Sequence, residues 1–421
     1  MLIARHDYAA LLRAHLQTFP AVAVLGPRQC GKSTLVREFV KTLPRRNRIT
    51  VFDLERPSDL ARLAAAPEED LGALQTHPGV ICIDEVQRAP ALFQLLRVLI
   101  DQPQRRARYI LLGSASPSLV TGVSETLAGR VGFIDLSPFL SAEVVGESST
   151  RRQRLWLRGG YPPSFLARSE HASAEWRESY IRTFLEQDVP GLGLRLPALT
   201  LRRFWTMLAH VHGGVLNATE LATALGVSVP TVGRYLDLLE GTYMIRRLPP
   251  YWANIGKRLV KSPKVYLRDS GVLHTLLGIG GLDGLRSHPK HGASWEGWVI
   301  EQVLGTLRLA GERVQPYFWR THGGAEVDLL LVIRDHIVPI EIKLGAEPRV
   351  TRGLTECLKD LRVPTAFVLH GGGASFPLAR NVWALSTTLA AQPAALRETL
   401  LRPSRLLGRA VGRDLHRLSH P

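Results

Sequence analysis

The sequence is poor in cysteine and has no long apolar run. Its three cysteines (Cys30, Cys82 and Cys357) lie far apart among 421 residues. They therefore predict neither a disulfide framework nor a cysteine-based metal site. No window approaches the roughly 18 apolar residues of a membrane-spanning helix, and the opening MLIARHDYAALLRAH lacks the pattern of a secretory signal. We therefore expect a cytoplasmic protein with no membrane partner.

Lysine is also scarce, yet the chain is strongly basic because arginine is abundant. Eight lysines and 45 arginines face 37 acidic residues, which gives a formal net charge of +16. A surface with this charge attracts polyanions, so DNA is the expected partner. A compositional bias toward arginine and attraction to an anionic membrane surface both stay open as alternatives.

The pattern of apolar residues changes along the chain. Through residue 140, short β-branched runs alternate with helical patterns, which indicates an α/β domain with a parallel sheet. Helical spacing dominates from 141 to 250, and helices and strands mix again from 251. We expect strands at Ala21–Leu25, Ile49–Asp53, Val80–Ile83 and Tyr109–Leu112. The final residues, 401–421, are basic and form either one striped helix or a solvated tail.

A phosphate-binding loop follows the first expected strand. It comprises Gly26, Pro27, Arg28, Gln29, Cys30, Gly31, Lys32 and Ser33, and Thr34 continues into a helical pattern. Glycines let backbone N–H groups turn toward phosphates, and the helix N-terminus adds its positive end. We predict that residues 26–34 bind ATP, with Lys32 on the β- and γ-phosphates and the Ser33 hydroxyl on Mg²⁺.

Acidic and polar residues follow two later strands. Asp84 and Glu85 end the apolar run VICI, so we predict that Asp84 holds Mg²⁺ and that Glu85 polarises the attacking water. Ser114 ends the next strand, where it can contact the γ-phosphate or position water. Arg130 is a candidate arginine finger for the nucleotide of a neighbouring subunit, although a surface salt bridge is an equal alternative.

A helix-turn-helix pattern covers 216–240. Gly226 permits the turn, and Val232, Leu236 and Leu239 share the buried face. The outward face would present residues to a DNA groove or its phosphates, and the following segment adds a basic patch and a possible wing. The predicted nucleic-acid contacts are Thr231, Arg234, Tyr235, Lys257, Arg258, Lys261 and Lys264. A protein–protein module remains the alternative.

A third constellation lies near the end of the chain. Asp328 falls in the strand pattern EVDLLLVI, and Glu341 and Lys343 occupy one face of a returning strand. Two acids and a lysine at a hairpin can hold a second Mg²⁺ or Mn²⁺ and orient water against a phosphodiester. This pattern resembles the PD-(D/E)xK nuclease fold, in which Asp and Glu bind metal, Lys stabilises charge and a helical acid, here Glu296, precedes them. Two alternatives to a cutting site stay open, a solvated charged hairpin and a nuclease fold that binds without cutting.

The stretches GPRQCGKST, ICIDE, LLGSAS, LAGR, RGGYPP and PPYWANIGKRLVKSPKVYLRDSGVL, taken together, resemble an archaeal and bacterial family of AAA+-type ATPases. The resemblance spans nearly the whole chain and implies four parts. These are an AAA+ core (1–140), a helical lid (141–205), a winged helix-turn-helix (206–270) and a nuclease-like α/β domain (271–400), after which the basic tail (401–421) follows.

We therefore expect an ATP-hydrolysing protein that remodels or processes DNA and self-associates as a ring or dimer. The main alternative is a nucleotide-gated switch that binds DNA or a partner protein without cleavage. A chaperone-like ATPase that acts on proteins is the third class, and the positive charge makes it less attractive.

Overall fold

The computed structural model describes residues 2–44, 48–65, 67–76, 78–116, 127–144, 146, 148–191, 197–251 and 261–403. These residues fall into two compact units. The first unit takes in the described parts of Met1–Phe139, Gly160–Leu166 and Pro230–Ile245, and the second those of Leu140–Gly159, Ala167–Val229 and Arg246–Pro421. Among the helices in these ranges, none is long and apolar enough to cross a membrane.

The first unit is built on a parallel sheet. Its strands are β1 (Ala21–Leu25), β2 (Arg48–Asp53), β3 (Gly79–Asp84), β4 (Ala107–Gly113) and β5 (Val131–Asp135). Its first helices are α1 (His6–Thr18), α2 (Lys32–Lys41), α3 (Pro57–Ala65), α4 (Pro67–Gln75) and α5 (Leu92–Asp101), with a 3₁₀ turn at Val86–Arg88. The four strands predicted from the sequence are confirmed, with ends that differ by no more than two residues, whereas β5 was not predicted.

Strand order decides which loops meet. The sheet runs β2-β3-β4-β1-β5, and every pairing is parallel. All five residues of β1 are buried, as a strand covered on both faces requires. Because β4 lies between β1 and β3, the residues after these three strands meet at the carboxyl edge of the sheet, where open α/β folds bind ligands.

Helices fill the middle of the chain. They are α6 (Ser141–Val144), α7 (Ser149–Arg158), α8 (Pro162–Phe165), α9 (Glu170–Thr183), α10 (Val189–Gly191), α11 (Ala198–His210), α12 (Ala218–Leu225) and α13 (Val229–Gly241), with a π-helix at Phe184–Asp188. Asn217 caps α12, and Gly226 follows it with φ +71°. A two-stranded sheet pairs β6 (Ile245–Leu248) with β7 (Lys264–Leu267).

The last part of the second unit combines a mixed sheet with helices. The strands are β8 (Val314–Arg320), β9 (Glu326–Ile333), β10 (His336–Lys343), β11 (Ala366–His370), β12 (Phe376–Ala379) and β13 (Val382–Ser386), in the order β12-β13-β11-β10-β9-β8. The helices are α14 (Ser270–Leu276), α15 (Leu282–Ser287), α16 (His291–Leu309), α17 (Arg352–Leu361) and α18 (Pro393–Leu401), with a 3₁₀ turn at Thr387–Ala391. Strands β9 and β10 form an antiparallel hairpin, which brings Asp328 near Glu341.

Candidate functional site

An open cleft of about 660 Å³ lies at the carboxyl edge of the sheet in the first unit. Five residues of the phosphate-loop pattern line it, together with Thr34 and the two acids Asp84 and Glu85. They are Arg28, Gln29, Gly31, Lys32, Ser33, Thr34, Asp84 and Glu85. The fold thus brings two sequence motifs together, and we refer to this space below as the cleft.

Two positions of the phosphate loop, 26 and 31, require glycine, one for lack of space and one for its backbone conformation. A Cβ on Gly26 would lie 2.1 Å from the Leu136 carbonyl oxygen, so only glycine fits there. Gly31 has φ +100°, which an L side chain rarely adopts. Lys32 is buried, and its Nζ donates 2.9 Å hydrogen bonds to the carbonyls of Gly26 and Pro27. These bonds hold the ammonium group against the loop.

Ser33 and Asp84 bring a hydroxyl and a carboxylate together in the cleft. Ser33 Oγ donates to Asp84 Oδ2 at 2.6 Å, and the Glu85 backbone N–H donates to Asp84 Oδ1 at 2.9 Å. Burial raises the pKa of Asp84, and the Ser33 hydrogen bond opposes that shift. A hydroxyl and a carboxylate this close fit Mg²⁺, which prefers oxygen ligands and takes the remainder from water and phosphates.

Glu85 is held by two neighbours. Its backbone is in the left-handed region with φ 54°, unusual for a residue other than glycine. Ser114 Oγ donates to Glu85 Oε2 at 3.0 Å, and Gln87 donates to that same oxygen and, at 2.9 Å, to Ser114. The sequence analysis missed Gln87, although its place two residues after the acidic pair could have indicated it.

The outer rim of the cleft carries further charge. Arg28 pairs with Glu55, which follows β2 and was also missed by the sequence analysis. Asp59 accepts a 3.0 Å hydrogen bond from the backbone of Asp53, the last residue of β2. Cys30 is buried, and burial raises the pKa of its thiol, so the loop cysteine is not a reactive thiolate.

Arg130 lies at the opposite edge of the sheet. Its guanidinium group makes a bidentate contact with Asp101, with Nη2 2.7 Å from Oδ2. Arg130 precedes β5, whose first residue Val131 pairs with Ala21, the first residue of β1. Five strand residues, about 17 Å at 3.3 Å each, separate it from the phosphate loop. Arg130 therefore cannot act on the nucleotide of its own chain.

A smaller, mainly apolar cavity of about 260 Å³ adjoins the loop. Leu2, Ile3, Phe39 and Phe139 contribute to its apolar wall, and Gly31 lies in the lining of both this cavity and the cleft. The chain segment before α1 therefore forms part of the surroundings of the loop.

The structure corrects two of the predicted nucleic-acid contacts. Tyr235 is buried, because the apolar face of α13 is wider than the sequence analysis assumed and includes this position. Lys264 is buried in the second unit, where its ammonium group contacts the Glu326 carboxylate. Arg234 and Lys261 are exposed, and Arg234 donates a 3.1 Å hydrogen bond to the partly buried Thr231. Lys257 and Arg258 lie outside the described residues.

In the second unit, Lys264 contacts two acids. Its Nζ lies 2.5 Å from Glu326 Oε1 and 3.3 Å from Glu296 Oε1. Glu296 also accepts a 2.5 Å hydrogen bond from the Tyr266 hydroxyl. Burial raises the pKa of Glu296 to about 7, with Asp328 adding to the shift. Burial alone would lower the pKa of Lys264, but the surrounding acids outweigh it and raise that pKa.

The predicted trio on the hairpin is adjacent in space. Asp328 Oδ2 accepts a 2.8 Å hydrogen bond from the Ile342 N–H, between Glu341 and Lys343. Lys343 Nζ lies 2.8 Å from Glu341 Oε1, whereas Glu341 Oε2 is buried with no hydrogen-bond partner among the described residues. Burial raises the pKa of Glu341 to about 7, and the negative charge of Asp328 raises it further.

The fit to a metal differs between the three predicted acidic ligands. Glu341 presents a buried oxygen that has no partner among the described residues, and together with the Asp328 carboxylate it can hold one hydrated divalent ion. Glu296 is instead engaged by Lys264 and Tyr266. Within the described ranges, no three His, Cys, Asp or Glu side chains converge to hold a metal ion. The predicted three-carboxylate set is therefore not assembled.

Comparison with protein families divides the chain into three consecutive matches. Residues 18–145 match the model for an AAA domain. Residues 149–283 match a domain of unknown function (DUF8612), and residues 291–390 match another (DUF4143).

The curated relatives include two mycobacterial proteins. These are the uncharacterized proteins Rv2008c of Mycobacterium tuberculosis and Mb2031c of Mycobacterium bovis. Each is 47% identical over 386 residues, which cover 91% of this chain and 84% of the relative. Among solved structures, the Walker-type ATPase PABY2304 of Pyrococcus abyssi overlaps with a TM-score of 0.47 at 14% identity, over 66% of this chain and 96% of that one.

Proposed function

The chain belongs to the family of Rv2008c and Mb2031c and carries an AAA-type P-loop domain, and we propose that it binds and hydrolyses ATP in the cleft. The observation that carries this proposal is the convergence of Ser33, Asp84, Glu85 and Ser114 at one edge of a parallel sheet. The same edge holds the loop lysine. Phosphoryl transfer needs positioning and charge stabilisation above all, and these groups supply both.

Each residue has a role that follows from its position. Lys32 moves from its two carbonyls to the β- and γ-phosphates, while backbone N–H groups of the loop after Pro27 bind phosphate oxygens. Ser33 and Asp84 would hold Mg²⁺, which neutralises developing phosphate charge when bound. Glu85 accepts a proton from the attacking water through Oε1, because its hydrogen bonds from Ser114 and Gln87 fall on Oε2.

Ser114 and Gln87 act as positioning residues for Glu85. A carboxylate accepts hydrogen bonds only, so the amide nitrogen of Gln87 must face it, as the structure has it. The remaining amide oxygen of Gln87 is buried without a partner among the described residues. This arrangement fixes the rotamer of Glu85 and so fixes the point at which water is activated.

The apolar cavity beside the loop is suited to the nucleotide base. It shares Gly31, Thr34 and Pro162 with the cleft, so a phosphate chain in the loop and a planar base in the cavity are compatible. Nucleotide pockets of this kind combine an apolar wall with a few polar groups. Arg28, held by Glu55, lies at the phosphate side of the rim.

We propose that ATP turnover acts on DNA. The support is the net charge of +16 together with Arg234 and Lys261, which are exposed near the predicted recognition helix and wing. The order α12, Gly226 turn, α13 and the β6–β7 pair is compatible with a winged helix-turn-helix over 206–270. Thr231 and Arg234 are its proposed groove or phosphate contacts. Lys257 and Arg258 remain proposed through the sequence pattern alone.

Self-association is proposed because Arg130 cannot reach its own cleft. A ring or dimer would place Arg130 of one copy at the nucleotide of another, where an arginine stabilises transition-state charge. Arg130 would have to leave Asp101 to reach that nucleotide, because the bidentate contact with Asp101 engages its guanidinium group. This exposed ion pair is weak enough to exchange.

The region 271–400 is proposed as a nuclease-like domain, after a helical lid over 141–205. The helix α16, the strands β8–β10, the helix α17 and β11 follow in the order αβββαβ, and Asp328, Glu341 and Lys343 share its hairpin. In the enzymatic version of the proposal, Asp328 and Glu341 would hold Mg²⁺ or Mn²⁺ and the domain would cleave DNA. The second candidate, a nucleotide-gated DNA- or protein-binding switch without cleavage, is favoured by the engagement of Glu296 with Lys264.

One experiment separates these versions. Linear, forked and four-way DNA are each incubated with the wild type and with Glu341→Ala, with Mn²⁺ and ATP, while phosphate release is followed. DNA-stimulated phosphate release supports the ATPase acting on DNA. Cleavage lost in Glu341→Ala assigns the hairpin as a nuclease, whereas stimulation without cleavage favours the switch. Phosphate release that DNA does not change would contradict the DNA proposal.

A further inference from the structure

Lys264 is a buried cation inside the acidic cluster of the second unit. It lies on β7 with 3% of its surface exposed, and its ammonium group contacts Glu326 and Glu296. The Phe318 ring centroid is 5.6 Å from Nζ, a distance at which an aromatic face attracts a cation. An ammonium group this buried needs paired charge to remain ionised, and the acids provide it.

The charges of the cluster nearly balance without any metal ion. Glu326 is shared by Lys264 and Arg320, the latter at 3.3 Å, and Glu296 is shared by Lys264 and Tyr266. Lys343 pairs with Glu341. Three basic side chains thus face four carboxylates. Sites that bind divalent cations carry an excess of negative charge instead.

The backbone fixes where the ammonium group lies. Val215 and Lys264 form an antiparallel bridge, and the Leu216 N–H donates a 2.8 Å hydrogen bond to the Pro263 carbonyl. Lys264 is also the first residue of β7, which pairs with β6. Its side chain therefore enters the cluster from a strand that is held on both sides, rather than from a loose loop.

We propose that Lys264 is the resident cation of this cluster and excludes Glu296 from metal binding. Any divalent ion is then confined to Asp328 and Glu341, where one buried carboxylate oxygen lacks a partner among the described residues. This disagrees with the three-acid metal set that the nuclease resemblance implies. The inference does not depend on ATP hydrolysis or on DNA cleavage.

The test is a Mn²⁺ titration of the nucleotide-free, full-length protein, followed by electron paramagnetic resonance. Asp84→Asn is present in every sample, so the cleft does not contribute. Lys264→Met should bind Mn²⁺ at least about tenfold more tightly than its parent, because a unit charge beside the ligands is removed. Tyr266 and Arg320 still satisfy Glu296 and Glu326 in this variant.

Two further variants complete the design. Lys41→Met removes an exposed lysine of the first unit that pairs with Glu38, and it should leave the affinity unchanged. Glu296→Gln also removes a unit charge near the ligands, but it should weaken the affinity by less than about thirtyfold, because Glu296 is not itself a ligand. Equal affinity of Lys264→Met and its parent, a greater loss in Glu296→Gln, or no Mn²⁺ binding in any sample would each overturn the proposal. If Lys264→Met fails to fold, Glu296→Gln decides.

Discussion

Ser33 Oγ donates a 2.6 Å hydrogen bond to Asp84 Oδ2 across 51 positions of sequence. The contact exists because β1 and β3 are the two neighbours of β4, so the residues that follow them meet at one edge. Asp84 also accepts from the Glu85 backbone. The Asp84 carboxylate therefore positions both Ser33, its proposed partner as a Mg²⁺ ligand, and Glu85, the residue proposed to activate water.

Gln87→Met should lower the kcat for ATP hydrolysis by about tenfold to a hundredfold, the usual cost of losing a supporting hydrogen bond behind a functional group. The KM for ATP should stay within about twofold, because Gln87 does not line the cleft. Gln104→Met, at an exposed glutamine of the same unit, is the control. Both values are read from steady-state phosphate release. A kcat equal to the wild-type value would show that Gln87 does not position Glu85.

Arg130→Ala and Lys32→Ala should each be inactive alone and should recover activity when mixed. In a mixed assembly, one cleft combines the Lys32 of the first variant with the Arg130 of the second. At equal amounts of a dimer, about half the assemblies are mixed, with one complete cleft each, so recovery should approach a quarter of wild-type activity per subunit. Phosphate release is measured against mixing ratio. An active Arg130→Ala sample, or no recovery at any ratio, would count against the arrangement in trans.

Four strands of the first unit and the cleft motifs could be predicted from the sequence because they are local patterns. The loop Gly26–Ser33 and the acids after β3 are contiguous patterns with known geometry. Contacts between distant segments that no motif encodes could not be predicted. The burial of Tyr235 depends on how wide the apolar face of α13 is, and the position of Lys264 depends on acids that follow it by 32 or more residues.

The environment of Lys264 could not be predicted for the same reason. Lys264 belongs to the predicted basic patch, since composition does not distinguish a solvated lysine from one that neutralises acids. Glu55 and Gln87 were missed because neither belongs to a pattern. Only the fold brings them to Arg28 and Glu85.

Gly353→Ala should destabilise the second unit by about 2 kcal/mol or more. A Cβ there would lie 1.8 Å from the Glu326 carbonyl oxygen, so backbone must move. Gly284→Ala is the matched control, because its Cβ would meet Ile279 Cγ2 at 3.8 Å, an ordinary contact. The thermal midpoint should fall only in the first variant. Equal midpoints would show that the backbone around Gly353 yields easily.

The opposite pKa shifts of two buried histidines and two buried glutamates should make their combined contribution to the stability of the second unit nearly independent of pH between about 5 and 6.5. Burial lowers the pKa of His212 to about 3 and that of His274 to about 4. The unfolded chain then binds more protons at these sites, so they destabilise the fold as pH falls below 6.5. Glu296 and Glu341, with pKa values raised to about 7, act in the opposite direction.

Glu341→Gln removes one of the compensating acids and so exposes the effect of the histidines. In this variant the free energy of unfolding, measured by thermal unfolding, should decrease on acidification from pH 6.5 to 5. The decrease should be about 1.4 kcal/mol for each pH unit. Glu347→Gln, at an exposed acid of the same unit, should keep the flat wild-type profile. A Glu341→Gln profile as flat as that of the wild type would contradict the raised pKa of Glu341.

The central claim is that Glu85 activates water for ATP hydrolysis in the cleft. Its most direct test measures ATP binding and phosphate release for the wild type, Glu85→Gln and Glu69→Gln, the last at an exposed acid on α4. Glu85→Gln should bind ATP with unchanged affinity and lose at least about a hundredfold in kcat, the contribution of a positioned base. Glu69→Gln should match the wild type. Full turnover in Glu85→Gln would contradict the account.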